Sequence, residues 1–223
     1  MKIIGIIPAR KGSKSIKNKN IIKINRKPLI EYTFIQIKKS LLKNSFVLTD
    51  SAQIKKIANS YNINTNYNRP KKLSSDKTSL KENLIHFSNW LKENSIEYDY
   101  FLILQPTSPL RSYKDINSVI KILNNKKPES LFSINSSSEH PYETIKIKKN
   151  SWSYILPKAK KFYRRQDFDF ESFFINGAIY AIHKKIINKQ KLIGKKHYVY
   201  KMPKIRSFDI DDLEDLAIID KIL

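Results

Sequence analysis

The sequence predicts a three-layer α/β sandwich with a mostly parallel central sheet. Three observations carry this. Short apolar runs alternate with stretches of 3.6-residue periodicity, as in strand–helix repeats. The run at 100–105 (YFLILQ) is apolar without polar alternation, as expected for a central strand covered on both faces. No internal repeat or long linker breaks the order. At 223 residues the chain is most simply one domain, 1–223.

The elements follow in order. Residues 3–8 form an apolar strand ended by Pro8, and a basic loop runs from 9 to 20. Pro28 can open a helix to about 42, because its missing N–H costs nothing at the first helical position. Residues 45–49 read as a strand, and 51–61 as a helix with Ile54, Ile57, Ala58 and Tyr61 on one face. A short strand is expected at 63–66. Ser79 and Glu82 make a capping box, and Leu80, Leu84, Phe87 and Leu91 are the buried stripe of the helix behind it. Then come the strand at 100–105, a helix at 115–124 and a strand at 130–135. Between 139 and 174 the pattern changes to a hairpin (144–148 and 152–155) and a basic, aromatic stretch (158–165). This reads as an arm leaving the sheet. The core pattern returns with strands at 176–183 and 197–201 and a final helix at 212–223.

Composition excludes several classes. Hydrophobic residues are 40% and aromatics 11%, which is too much for wholesale disorder. No run approaches the ~18 apolar residues of a membrane span, and the start does not read as a secretory signal. Without cysteine there is no disulfide or thiolate metal site, and a cytoplasmic location is the expectation. The 43 Lys and Arg against 20 Asp and Glu give a net charge of +23, spread along the chain. Such a field favours anionic partners. A nucleic-acid-binding module is the distant alternative, but no DNA-reading motif or stacking RNA module is present, so no specific nucleic acid is expected. Six of the twenty acids fall between 209 and 220, and on so basic a chain this points to a bound cation.

In an open parallel sheet, ligands sit beyond the carboxyl ends of the strands. The first loop, P-A-R-K-G-S-K-S-I-K-N-K-N, sets Arg10, Lys14, Lys17 and Lys19 around Gly12 and Ser13 just after a strand. Arginine offers a planar fork for phosphate oxygens, lysines act as compact charges, and Gly12 admits backbone N–H groups to an anion. In LQPTSPLR (104–111), two prolines hold Gln105 and Thr107 in fixed orientation, and Arg111 ties the loop down. Asp209 and Asp211, two apart, share one face of an extended segment. Such a pair suits Mg²⁺, which takes one or two carboxylates plus phosphate oxygens and water. Asp212, Glu214 and Asp215 are better explained as the start of the last helix. Asp50 is divided evenly between a helix cap and a site role. The four histidines show no metal-ligand spacing and accompany no nucleophile.

These strings, with RPKKLSSDKTS (69–79), HPYET (140–144), RRQ (164–166), NGAIY (176–180) and FDIDDLEDL (208–216), resemble the CMP-sialic acid synthetase family. Its members are the acylneuraminate cytidylyltransferases that activate nonulosonic acids. The resemblance spans essentially the whole chain. It implies a Rossmann-like sandwich of the nucleotide-diphospho-sugar transferase type. The implied reaction is a Mg²⁺-dependent transfer from CTP to a nonulosonic acid, with Kdo or another sugar nucleotidyltransferase of the same fold as the alternative. It assigns Arg10, Gly12, Ser13, Lys19, Asn20 and Arg69 to the nucleotide, and Gln105, Thr107, Arg165, Asn176 and Tyr180 to the sugar acid. Asp209 and Asp211 go to the metal, with Lys19, Arg10 and Asp211 as the catalytic set. It also implies a homodimer with residues 139–170 reaching across. Two departures stand out: Ser15 occupies a usual glycine position, and Phe174 a usual arginine position, whose role would pass to Arg164.

Overall fold

The computed structural model describes residues 1–12, 15–75, 78–162 and 164–223. In chain order it runs β1 (Ile3–Pro8), a two-residue ladder β2 (Lys23–Ile24) and β3 (Lys27–Pro28), α1 (Leu29–Lys39), β4 (Asn44–Leu48) and α2 (Ala52–Ser60). Next come α3 (Leu80–Glu93), β5 (Tyr100–Leu104), α4 (Tyr113–Lys126) and β6 (Ser130–Ser136). The arm contains β7 (Ile145–Lys148) and β8 (Ser151–Tyr154). The chain finishes with β9 (Phe173–His183), α5 (Lys184–Asn188), β10 (His197–Lys201) and α6 (Leu213–Ile222).

Six strands form the main sheet in the order β10-β6-β9-β5-β1-β4. All run parallel except β9, which is antiparallel to both β5 and β6. Successive side chains of a strand face opposite ways, so adjacent apolar residues feed two cores. Ile7 and Leu102 pack with Phe34 of α1 and Val119 of α4. Their neighbours Ile6 and Phe101 pack on the other side with Leu84 and Phe87 of α3 and Ile186 of α5. Helices therefore cover both faces, which is the expected sandwich.

The local signals are visible at the caps. Ser79 and Glu82 make the reciprocal capping box of α3. Asp212 caps α6, accepting from the Glu214 and Asp215 amides. Three expectations are corrected. Residues 63–66 form no strand; only an isolated bridge from Asn64 to Phe46 is present there. Pro28 lies just outside α1, with extended ψ of 136°, because it closes the β2–β3 ladder first. The helix expected from 115 starts at Tyr113, because Ser112 and Asp115 form a second capping box that places Asp115 inside the first turn.

The arm holds a small aromatic cluster of its own, with His140, Tyr142, Phe162, Phe168 and Phe170 ring against ring. The expected hairpin pairs Ile147 with Trp152, both exposed.

Candidate active site

The carboxyl ends of β1, β4 and β5 open onto a crevice of about 290 Å³. Arg10, Gly12, Lys19 and Asn20 line it from the first loop, Arg69 from the segment after β4 and α2, and Gln105 and Thr107 from the segment after β5. A hollow of about 690 Å³ between α3 and α5 is larger. It lies at the amino ends of the parallel strands, where Ile96, Glu97 and Tyr98 lead into β5, and that is the wrong edge for a ligand of such a sheet.

The first loop is fastened at both ends. Asn20 Nδ2 donates to the Arg10 carbonyl at 3.1 Å, closing the loop on itself. The Lys11 amide donates to Asp50 Oδ1 at 2.7 Å. Asp50 is thus a brace for the loop, and the cap of α2 is Ser51, which accepts from the Ile54 amide. A Cβ at Gly12 would meet nothing within 4 Å, so backbone at that point is open to a ligand. Ser13 lies outside the described residues.

Lys19 links this loop to the tail. It is only 8% exposed, and its Nζ donates to the carbonyls of Ile210 (2.8 Å) and Asp211 (3.1 Å). The same nitrogen is 3.7 Å from Asp211 Oδ1. The tail is also tied to the loop after β5. The Ile210 amide donates to the Thr107 carbonyl at 2.9 Å, and Ser108 Oγ donates to Asp209 Oδ1 at 3.2 Å. Nothing in the spacing of Ser108 inside LQPTSPLR marks this role in the sequence.

The two carboxylates differ in setting. Asp209 is half-buried, and burial, with Asp211 nearby, raises its pKa against the opposing pull of Thr107 and Ser108 hydrogen bonds and Lys19. The Asp211 side chain is 82% exposed. Two neighbouring carboxylates form an all-oxygen donor set that suits a hard divalent ion. Among the described residues no third His, Asp or Glu converges there. A cation held by this pair would complete its shell with ligand oxygens and water.

Two buried arginines shape the crevice walls. Arg69 donates through Nε and Nη2 to the Leu73 carbonyl, at 3.1 and 2.6 Å, and through Nη1 to Leu48 O at 3.5 Å. Burial lowers its pKa, and Asp50 opposes this. Arg111 is 1% exposed and donates to the carbonyls of Gln105 and Ala178 and to Thr33 Oγ1, at 2.7–2.8 Å. Burial pulls its pKa down to about 10. It does tie the 104–111 loop down, and it fastens β9 as well.

The expected sugar-side residues separate into two groups. Gln105 and Thr107 line the crevice, and Tyr180 is close enough for Asp209 to help burial raise its phenol pKa. Asn176 is buried in an internal network instead: Oδ1 accepts from Ser133 Oγ at 2.6 Å and Nδ2 donates to Ser207 Oγ at 2.9 Å. Arg165 stands on the arm, exposed and paired with Glu143 at 2.9 Å, away from the crevice of its own chain. Arg164 is likewise exposed, held by Asp167, and Phe174 is 64% exposed.

A cationic loop and paired carboxylates meet at the carboxyl edge of a mostly parallel sheet, the edge where α/β proteins of this architecture bind their ligands. The sequence pattern of the family described as Cytidylyltransferase matches residues 4–222, and the chain belongs to that family. It is 33% identical over 97% of its length to an N-acylneuraminate cytidylyltransferase of Escherichia coli O18:K1:H7, covering 51% of that protein. It is 28% identical to a CMP-N,N'-diacetyllegionaminic acid synthase of Legionella pneumophila, covering all of this chain and 97% of that protein. A pseudaminic acid cytidylyltransferase of Campylobacter jejuni is 29% identical, with 97% of this chain and 94% of that protein covered. The chain spans about half the length of the first of these relatives. The relatives bear out the resemblance read from the motifs. The solved structure of a CMP:2-keto-3-deoxy-manno-octonic acid synthetase complexed with CTP superposes with a TM-score of 0.70 at 16% identity, covering 100% of this chain and 98% of that one, and so shares the fold.

Proposed function

We propose that this chain transfers a cytidylyl group from CTP to the anomeric hydroxyl of a nonulosonic acid in the cytoplasm, releasing pyrophosphate. The observation that carries this reading is the junction at Lys19, whose ammonium joins the cationic loop to the Asp209–Asp211 segment at one crevice. The named activities of the relatives, on sialic, legionaminic and pseudaminic acids, support the substrate class.

In this reading Arg10, Lys19, Asn20 and the backbone near Gly12 take the triphosphate, with Arg69 beside the nucleotide. Gln105 and Thr107 face the sugar acid, and Tyr180 lies behind them. The hydroxyl oxygen forms a bond to the α-phosphorus, and the bond from that phosphorus to the α,β-bridging oxygen breaks. Its electron pair leaves with pyrophosphate and the hydroxyl proton passes to solvent. Lys19 and Arg10 offset the charge that builds on the leaving group, and the rigid loops hold the reacting atoms in line. Asp209 and Asp211 would hold Mg²⁺. Once bound, that ion supplies Lewis-acid neutralisation of phosphate oxygens.

A homodimer is part of the proposal. The exposed apolar face of the hairpin, with Ile147 75% and Trp152 60% exposed, suits burial against a second copy. Sedimentation of the wild type and of Trp152→Asp tests it.

The reaction is tested with purified protein, CTP, Mg²⁺ and a panel of sialic, legionaminic and pseudaminic acids and Kdo. Pyrophosphate from at least one nonulosonic acid is expected, and the best of them names the substrate. A folded protein that releases none, or that prefers UTP or GTP, overturns the reading. Asp211→Asn should abolish turnover while circular dichroism stays unchanged.

A further inference from the structure

A network beside the crevice takes no part in the chemistry above. Asp115 is fully buried. It caps α4 by accepting from the Ser112 amide and hydroxyl at 2.9 and 2.8 Å. It accepts as well from Tyr200 Oη of β10 at 2.9 Å. Arg206 completes the set with a two-pronged bond, Nε and Nη2 each 2.9 Å from the carboxylate. A fully buried carboxylate calls for a cation in its own right, and the chain position of the arginine that answers it gives the pair a further consequence. Arg206 lies in the 3-10 turn Lys204–Ser207, three residues before Asp209.

We infer that the Arg206–Asp115 pair is a positioning device that sets where the Asp209 carboxylate stands, and through it the affinity of the Asp209–Asp211 pair for a divalent cation. This rests on the proposed function. After β10, the tail leaves the sheet ladder and crosses to the crevice. Downstream of Asp209 it is pinned by Ile210 N on Thr107 O and by Lys19. Upstream it is pinned by Arg206 on Asp115 and by Ser207 Oγ, which accepts from Asn176 Nδ2. The Asp209 backbone therefore lies between two anchors, while its carboxylate takes a direct bond from Ser108 Oγ. The planar fork of a guanidinium on a carboxylate fixes direction as well as distance. Mg²⁺ demands near-ideal octahedral geometry at short range, so a small displacement of one carboxylate weakens its binding steeply. Arg206 does not line the crevice, so its removal leaves the nucleotide contacts in place.

The test uses the full chain with Arg206→Met, Arg206→Lys and, as a control, Tyr200→Phe. Mn²⁺ binding is read by electron paramagnetic resonance, and the Mg²⁺ and CTP dependences by pyrophosphate release. Arg206→Met should raise the Mn²⁺ dissociation constant and the half-saturating Mg²⁺ about tenfold, the low end of what loss of support around a metal site costs, while the KM for CTP moves less than about twofold. Arg206→Lys should recover part of the loss. Tyr200→Phe, which removes one bond to Asp115 and leaves the fork, should bind Mn²⁺ like the wild type. A folded Arg206→Met chain with wild-type Mn²⁺ affinity overturns the inference, and so does a Tyr200→Phe chain as impaired as Arg206→Met. If Arg206→Met does not fold, Arg206→Lys decides: it must weaken Mn²⁺ more than CTP, and equal weakening overturns the idea. A wild type that binds Mn²⁺ but activates no acid sinks the proposed reaction and leaves the effect of the pair readable. One that binds no Mn²⁺ sinks both.

Discussion

The crevice and the arm are both rich in cations, yet they hold them in opposite ways. In the crevice two buried basic groups are held mainly by carbonyls: Lys19 by those of Ile210 and Asp211, with the Asp211 carboxylate 3.7 Å away, and Arg69 by those of Leu48 and Leu73. In the arm three of them are paired with carboxylates in solvent: Lys158 with Asp169, Arg164 with Asp167, Arg165 with Glu143. A carbonyl orients a cation without cancelling it, so the crevice keeps its positive field for a ligand. A carboxylate cancels the charge it holds. The difference explains why a net charge of +23 says little about where an anion binds, while the few buried cations held mainly by carbonyls say a great deal.

The comparison breaks most visibly at Lys19. Lys19→Met keeps the length of the side chain and removes the charge from the loop–tail junction. Turnover should fall about 10³-fold, the upper end for loss of one transition-state donor. A variant keeping a tenth of the wild-type kcat would show that the junction is only a strut.

Arg111 sharpens the same point through stability. Its guanidinium is fully buried and holds two carbonyls and a hydroxyl. Arg111→Met leaves those acceptors without donors and should cost about 3 kcal/mol, read as a lower urea midpoint. Activity per folded molecule should fall as well, because Gln105 loses its anchor. An unchanged midpoint would mean that the loop is held by its prolines alone.

Asp50 lies next in size. It reaches the crevice through the Lys11 amide and through its charge beside Arg69. Asp50→Ala should raise the KM for CTP about tenfold, the order expected for one lost charge-assisted hydrogen bond. The acceptor acid should keep its KM. An equal loss for both substrates would place Asp50 in general folding.

Much of this was legible in the sequence because the signals are local. Alternating apolar runs mark the strands, Ser79 with Glu82 marks a helix start, and the spacing of Asp209 and Asp211 marks a shared face. What was not legible depends on distant partners. Nothing in residues 176–183 says that β9 runs against its neighbours, since an apolar strand reads alike in both directions. Nothing near Lys19 says that its ammonium will meet carbonyls some 190 positions away. Asp115 sits in the capping box of its own helix, and its bond to Arg206 spans 91 residues. The segment at 63–66 failed for the opposite reason. Its local pattern suits a strand, but beside β4 only Asn64 makes a bridge.

The smallest effect on stability belongs to the arm. Arg165 and Glu143 are a surface pair, and Arg165→Ala should leave the urea midpoint unchanged. Its effect on catalysis decides how the two regions work together. Arg165 does not line the crevice of its own chain, so a contact with the sugar acid would be made in the crevice of a second copy. Arg165→Ala should then raise the KM for the acid and spare that for CTP. Mixing it with Lys19→Met should restore activity, because half of the crevices in a mixed dimer receive both an intact Lys19 and an intact Arg165. Failure of the mixture to exceed either parent, with exchange of subunits shown by mass spectrometry, would confine the arm to holding the dimer together.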